Sequence, residues 1–105
     1  MNYKAMSDMV LFRHTWRTIV KDKVYRKFML PKALFSELEK RDWVAKCLYC
    51  DKYQHYEGCG DCPLVKSYGR EHGNICVPPF YSWYKNSDIE GAKQILEVIE
   101  KDMGG

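Results

Sequence analysis

Four of the five cysteines in this chain form two Cys-x-x-Cys pairs, Cys47-Leu-Tyr-Cys50 and Cys59-Gly-Asp-Cys62, separated by eight residues. Two residues between paired cysteines let both sulfurs approach one tetrahedral ion from a tight turn, which Gly60 eases. Zinc accepts four thiolates at ~2.3 Å, and a closed thiolate shell leaves no position for a reacting water. The chemistry implied is therefore structural rather than hydrolytic. Cys76, fourteen residues beyond Cys62, is a fifth candidate, so five thiols compete for four places. His55 and His72 are further possible ligands, read here as ordinary polar residues of a tyrosine-rich stretch. An iron-sulfur cluster is the alternative cofactor, since four thiolates also hold one. Zinc is preferred because nothing in the sequence suggests electron-transfer partners or radical chemistry. The bland alternative is a set of reduced thiols acting as small buried hydrophobes. A thioredoxin-like redox role fits less well, because it wants one Cys-x-x-Cys in a βαβ setting.

The compartment expected from the rest of the chain agrees with metal ligation. Lys4, Asp8, Arg13, His14 and Arg17 interrupt the first twenty residues, so no apolar stretch of signal-peptide kind is present. No run approaches the ~20 apolar residues of a membrane-spanning helix. The expectation is a soluble, cytoplasmic protein without membrane contact, in which reduced thiols are available to metal rather than paired as disulfides.

At 105 residues the chain has the size of one domain, which buries only about two thirds of its unfolded surface. A bound metal would supplement such a core. Its formal charge of +3 is unevenly placed: residues 1–32 carry eight Lys/Arg against two Asp, giving +6 and leaving −3 for the remainder. Only this first third can supply the concentrated basic footprint of a nucleic-acid binder. The residues singled out for partner contact are Arg13, Arg17, Lys21, Lys23, Arg26 and Lys27. The competing reading is a solvated basic face.

The elements that must position these groups are read from periodicity and punctuation. The fold class expected is a small α+β or mainly α metal-stabilised domain, with helices at about 32–46 and 88–102 flanking a loop-rich, zinc-knuckle segment at 47–79. Residues 1–31 form a basic N-terminal segment whose structure stays open: Val20, Val24 and Phe28 share a helical face, whereas Lys23–Phe28 alternates in part like a strand. Pro31 suits a first helical turn, with Leu34, Phe35, Leu38 and Val44 on one stripe and Glu37, Glu39, Lys40 and Arg41 facing water. That helix would deliver the chain into Cys47. Ser87-Asp88-Ile89-Glu90 reads as a capping box, and Ile89, Ala92, Leu96 and Ile99 are expected on the buried face of the last helix.

The helix leading into Cys47-x-x-Cys50, then Cys59-x-x-Cys62-Pro63-Leu64, Cys76, the Phe80-Tyr81-x-Trp83-Tyr84 cluster and the closing amphipathic helix together resemble a group of small cysteine-rich bacteriophage and prophage proteins. The resemblance covers roughly residues 34–102 and leaves residues 1–31 as an addition. The recurrence of a fifth cysteine in that pattern implies a place for Cys76 in the metal site. It also implies an accessory role, since small phage proteins often bind and disable host machinery, including restriction or CRISPR effectors and transcription components.

The first functional expectation is accordingly a non-enzymatic module that binds a host protein or protein–nucleic acid complex and inhibits or redirects it. Tyr49, Tyr53, Tyr56, Tyr68, Tyr81, Trp83 and Tyr84 are candidate interface anchors, although at least half of such rings belong in a small core. The alternative is a zinc-finger-like nucleic-acid-binding protein, its basic segment on phosphates and its rings on bases. No phosphate-cradling glycine loop, zinc-protease helix or Ser/His/carboxylate constellation argues for an enzyme. Asp51, Glu57, Asp61 and Glu71 are read as surface carboxylates, and thiolates suit the magnesium of common nucleases poorly.

Overall fold

The computed structural model describes residues 2–43, 48, 62–68 and 77–104. Among them are five α-helices, α1 (Asp8–Asp22), α2 (Lys32–Lys40), α3 (Pro63–Tyr68), α4 (Pro78–Asn86) and α5 (Ile89–Asp102), with 3-10 turns at Tyr3–Ala5 and Lys27–Met29. No strand occurs among the described residues. The mainly α alternative of the expected fold class therefore holds. The cysteine-bearing part of the expected loop segment, apart from Cys62, lies outside the described residues.

Helix α1 resolves the ambiguous first third. Leu11, Phe12, Thr15, Trp16 and Ile19 recur at helical spacing and are all buried, the stripe of a helix lying on a core. Thr15 sits among these apolar residues because its hydroxyl donates to the Leu11 carbonyl at 2.8 Å, so nothing polar is left unmet. The helix stops where Lys23 takes a left-handed conformation (φ 54°), and the amides of Lys23 and Val24 both donate to the Ile19 carbonyl. This is Schellman-type termination. Neither open reading of Lys23–Phe28 survives: Val24 is buried and Phe28 exposed, in a turn rather than in a longer helix or a strand.

The expected helix at 32–46 ends earlier, at Lys40. Asp42 adopts φ 61°, the Trp43 amide donates to the Leu38 carbonyl at 2.9 Å, and the reversed chain buries Trp43 against Phe12. Burial of a large ring thus prevails over continuation of the apolar stripe; Val44 lies outside the described residues. Glu37 was expected to face water. It is instead buried, its carboxylate accepting from Arg41 Nε at 2.9 Å.

The segment expected as loop, 47–79, contains helix α3 (Pro63–Tyr68), and at its end begins helix α4. Two prolines occupy its opening positions, Pro78 and Pro79, where a missing N–H costs nothing. The Ser87 and Asp88 amides both donate to the Ser82 carbonyl, and Ser87 is left-handed (φ 51°). Asp88 then caps α5, accepting from the Glu90 amide at 3.1 Å and from Ser82 Oγ at 2.9 Å. The capping residue is Asp88, therefore, and not Ser87. The last helix matches its expected span, but its buried face is rotated: Ala92, Ile95, Val98 and Ile99 are buried, while Ile89 and Leu96 are only partly covered.

Helix α5 is the hub, packing against α1, α3 and α4. The α4 contact is close enough to demand glycine, for a Cβ on Gly91 would stand 2.2 Å from the Pro79 carbonyl oxygen. The indole of Trp83, 1% exposed, locks the other side: it lies edge-on to Trp16, with centroids 4.9 Å apart, and its Nε1–H donates to the Val24 carbonyl at 2.7 Å. Helix α2 packs on the two 3-10 turns. A radius of gyration of 13.0 Å is that of one close-packed body of this length.

In an ordinary helix Gly→Ala stabilises by up to ~1 kcal/mol. Here the added methyl meets backbone, and Gly91→Ala is expected to destabilise by about 1–3 kcal/mol through overpacking. Urea unfolding monitored by tryptophan fluorescence measures it, and a variant as stable as the parent would contradict the α4–α5 contact.

Candidate functional site

Of the cysteine set, the structure describes Cys62. It immediately precedes Pro63 at the start of α3, its carbonyl accepts the Lys66 amide at 2.9 Å, and it is 7% exposed within the same core cluster as Leu64 and Val77. Cys47, Cys50, Cys59 and Cys76, with His55 and His72, lie outside the described residues. Among the described residues no three His, Cys, Asp or Glu side chains converge on a metal position. A cysteine sulfur is a donor type that zinc accepts, and Cys62, the described member of the set, is largely shielded from water.

The six cations chosen for partner contact divide sharply. Arg17 faces α5, its Nε and Nη2 donating to the two carboxylate oxygens of Glu100 at 2.7 and 3.0 Å. Arg26 Nη1 donates to the carbonyls of Tyr25 (2.7 Å) and Tyr84 (2.6 Å), and its guanidinium lies 4.6 Å over the Tyr84 ring. Lys27 Nζ donates to the Trp43 carbonyl. These three therefore tie separate parts of the fold together. Arg13 is half-buried, whereas Lys21 and Lys23 are exposed at the C-terminal end of α1. The N-terminal third is not an appended arm, because α1 supplies Leu11, Trp16 and Ile19 to the core.

The candidate aromatic anchors divide as well. Trp83 is a core residue, Tyr68 is half-buried, and Tyr81 and Tyr84 are partly exposed on α4; Tyr49, Tyr53 and Tyr56 lie outside the described residues, as do the carboxylates Asp51, Glu57, Asp61 and Glu71. The described residues lining an open hollow between α3, α4 and α5 are Tyr68, Pro78, Pro79, Ser82 and Gln94, and among them there is no acid–base pair. Among the described residues no helix is long and apolar enough to cross a membrane.

Sequence reasoning missed Arg41. Its guanidinium serves four acceptors, Glu37, Asp8 (2.8 Å) and the carbonyls of Tyr3 and Met6 (3.2 and 2.9 Å), and lies 5.5 Å from the Trp43 ring. The i, i+4 spacing of Glu37 and Arg41 was the available signal.

Comparison with protein-family models, with curated proteins and with solved structures finds no match for this chain.

Arg17 acts on two titrations. The hydrogen bond from Arg17, reinforced by its charge, holds the Glu100 carboxyl below the usual carboxylate range. Partial burial, then Arg17, holds the His14 imidazole below its ordinary value. Since Glu100 is depressed on folding, its stabilisation is present above the ordinary carboxylate range and is lost as pH falls through the folded value. Arg17→Ala is expected to raise the pKa of both groups, measured by NMR titration of the Glu100 carboxyl carbon and the His14 ring. A Glu100 that titrates unchanged would show that the pair does not form in solution.

Proposed function

We propose that this chain is a zinc-binding accessory protein of the small phage type, acting without catalysis, that binds a host protein or protein–nucleic acid complex and inhibits or redirects it, a defence system of the restriction or CRISPR kind being one such target. The metal is assigned to thiolates drawn from Cys47, Cys50, Cys59, Cys62 and Cys76. When bound, zinc would supply a fixed tetrahedral crosslink and no reactive water. What supports a protein partner over nucleic acid is one observation: Arg17, Arg26 and Lys27 already serve acceptors within the fold. A phosphate-binding surface needs cations that can exchange counterions for phosphates, and half of the basic set is otherwise committed. The +6 charge of residues 1–32 keeps nucleic-acid binding as the second reading.

Protein purified from cytoplasm is expected to carry about one zinc per chain, measured by elemental analysis. Removal by chelation should abolish cooperative unfolding, because structural zinc contributes on the order of 10 kcal/mol of apparent binding energy. Cys59→Ser and Cys62→Ser should each release metal, while Cys76→Ser decides between a ligand and a spare thiol. Iron with a visible charge-transfer band would replace zinc by a cluster, and metal-free folded protein would remove the proposal's centre.

The functional half is tested by capture from host lysate with metal-loaded and metal-depleted protein, before and after nuclease treatment. Retention of one stoichiometric protein after nuclease treatment is the expected result. Loss of all capture on nuclease treatment would transfer the assignment to nucleic acid.

A further inference from the structure

Among the described residues, the two most exposed large apolar side chains stand next to each other. Phe28 is 69% and Met29 62% exposed, and both sit on the 3-10 turn Lys27–Met29. Buried neighbours bracket the pair, Val24 before it and Leu30 after it. The turn is also held from three directions. Trp83 donates to the Val24 carbonyl, Arg26 to the Tyr84 carbonyl and Lys27 to the Trp43 carbonyl. Within the turn the Met29 amide donates to Arg26 and the Leu30 amide to Lys27, both at 3.0 Å. The loop thus holds two apolar side chains in water on a fixed backbone, which lowers the ordering cost of any contact made through them.

We propose that Phe28 and Met29 are the anchors of a docking surface for a protein segment that offers an apolar pocket with an acidic rim. This rests on the reading of the chain as a protein-binding module and assigns its contact face. Charge complementarity selects the rim: in residues 21–32 the exposed cations Lys21, Lys23 and Lys32, which leave Arg26 and Lys27 to their internal acceptors, stand against the single carboxylate Asp22. On the adjoining helix Lys85 adds its ammonium 5.3 Å from the Tyr84 ring.

The same neighbourhood disfavours single-stranded nucleic acid. Binding along a single strand stacks successive bases on several open rings, whereas here Phe28 is one exposed ring and the next, Tyr84, carries the Arg26 guanidinium at 4.6 Å and stacks on Phe80 with centroids 6.3 Å apart and planes 10° from parallel. Met29 offers no ring at all. A flexible thioether beside an aromatic ring is suited instead to filling a protein pocket.

The test is selection of a random dodecapeptide display library on the full, metal-loaded chain and on the variant Phe28→Ser/Met29→Ser, whose exposed positions should leave thermal unfolding unchanged. The wild type is expected to enrich peptides with one or two large apolar residues flanked by Asp or Glu. The strongest, synthesised, should lose affinity by about tenfold or more with the variant and more modestly with Lys21→Glu/Lys23→Glu. Enrichment of the same peptides by wild type and double-serine variant would place the contact face elsewhere while leaving the protein-binding reading intact. Basic or uncharged consensus peptides would overturn the acidic rim. If no peptide rises above background, the docking surface is overturned while capture from nuclease-treated lysate still decides the reading beneath it; if a random oligonucleotide or anionic vesicle binds better, the proposal fails together with that reading. Self-association abolished by the double-serine variant would make the occupant a second copy of this chain and overturn the assignment.

Discussion

One hydrogen bond governs how the two halves of this molecule meet. A buried indole N–H must find an acceptor, since leaving it unpaired away from water costs more than the bond itself gains. Trp83 finds the Val24 carbonyl, 59 positions earlier in the chain. That carbonyl is available because Lys23 turns left-handed and ends α1, so Val24 is outside the helical ladder. The end of α1, the seating of α4 and the path of residues 24–30 are therefore a single constraint. The exposed Phe28–Met29 turn follows from it, because Arg26 reaches the Tyr84 carbonyl only when α4 lies against the end of α1.

The same logic accounts for the cations. Helix ends and turns leave carbonyl groups without intrahelical donors, and several of the Lys and Arg residues near such junctions serve them. Arg26 reaches Tyr84 in the last turn of α4, Lys27 reaches Trp43 beyond α2, and Arg41 reaches Tyr3 and Met6 before α1. A count of charges along the chain treats these groups as surface. In the fold they are crosslinks between elements. Of the six cations singled out for partners, Lys21 and Lys23 are the ones exposed at the end of α1.

How much of this was legible follows from which signals are local. The last helix was legible in span because its period and caps are contained in the sequence around it. Its face was misjudged by one position, Ile95 for Leu96, since neighbouring apolar residues compete for a core whose direction other elements set. Helix α2 was legible at its start, and its end was not: Trp43 is buried against Phe12, a partner 31 positions away that no local window contains. Helix α4 is hidden because its two opening prolines fall at the end of the segment expected as loop, whereas the same residues open a helix. Glu37 and Arg41 look like ordinary solvent-facing charges until Tyr3, Met6 and Asp8 are brought beside them. Of the candidate metal ligands, the described residues place Cys62 at a buried helix start, a position its Cys-Pro sequence anticipates.

The placement of the cysteine segment's neighbours carries a last consequence for how metal and fold depend on each other. Trp43 and Leu48 stand near its first pair, Cys62 and Leu64 at its second, and Val77 directly follows Cys76, and all five are buried in the common core cluster. An ion that crosslinks Cys47, Cys50, Cys59 and Cys62 would shorten the loop between Leu48 and Cys62, reducing the entropy lost when those buried positions are brought together. It would act near α3, a helix of six residues, too short to be stable in isolation. Packing of α3 on α5 and ligation through Cys62 would then support one another. A metal in this place would tie together positions buried in the same core that Trp83 and Gly91 close from the α4 side, where the packing of α1, α4 and α5 presents Phe28 and Met29.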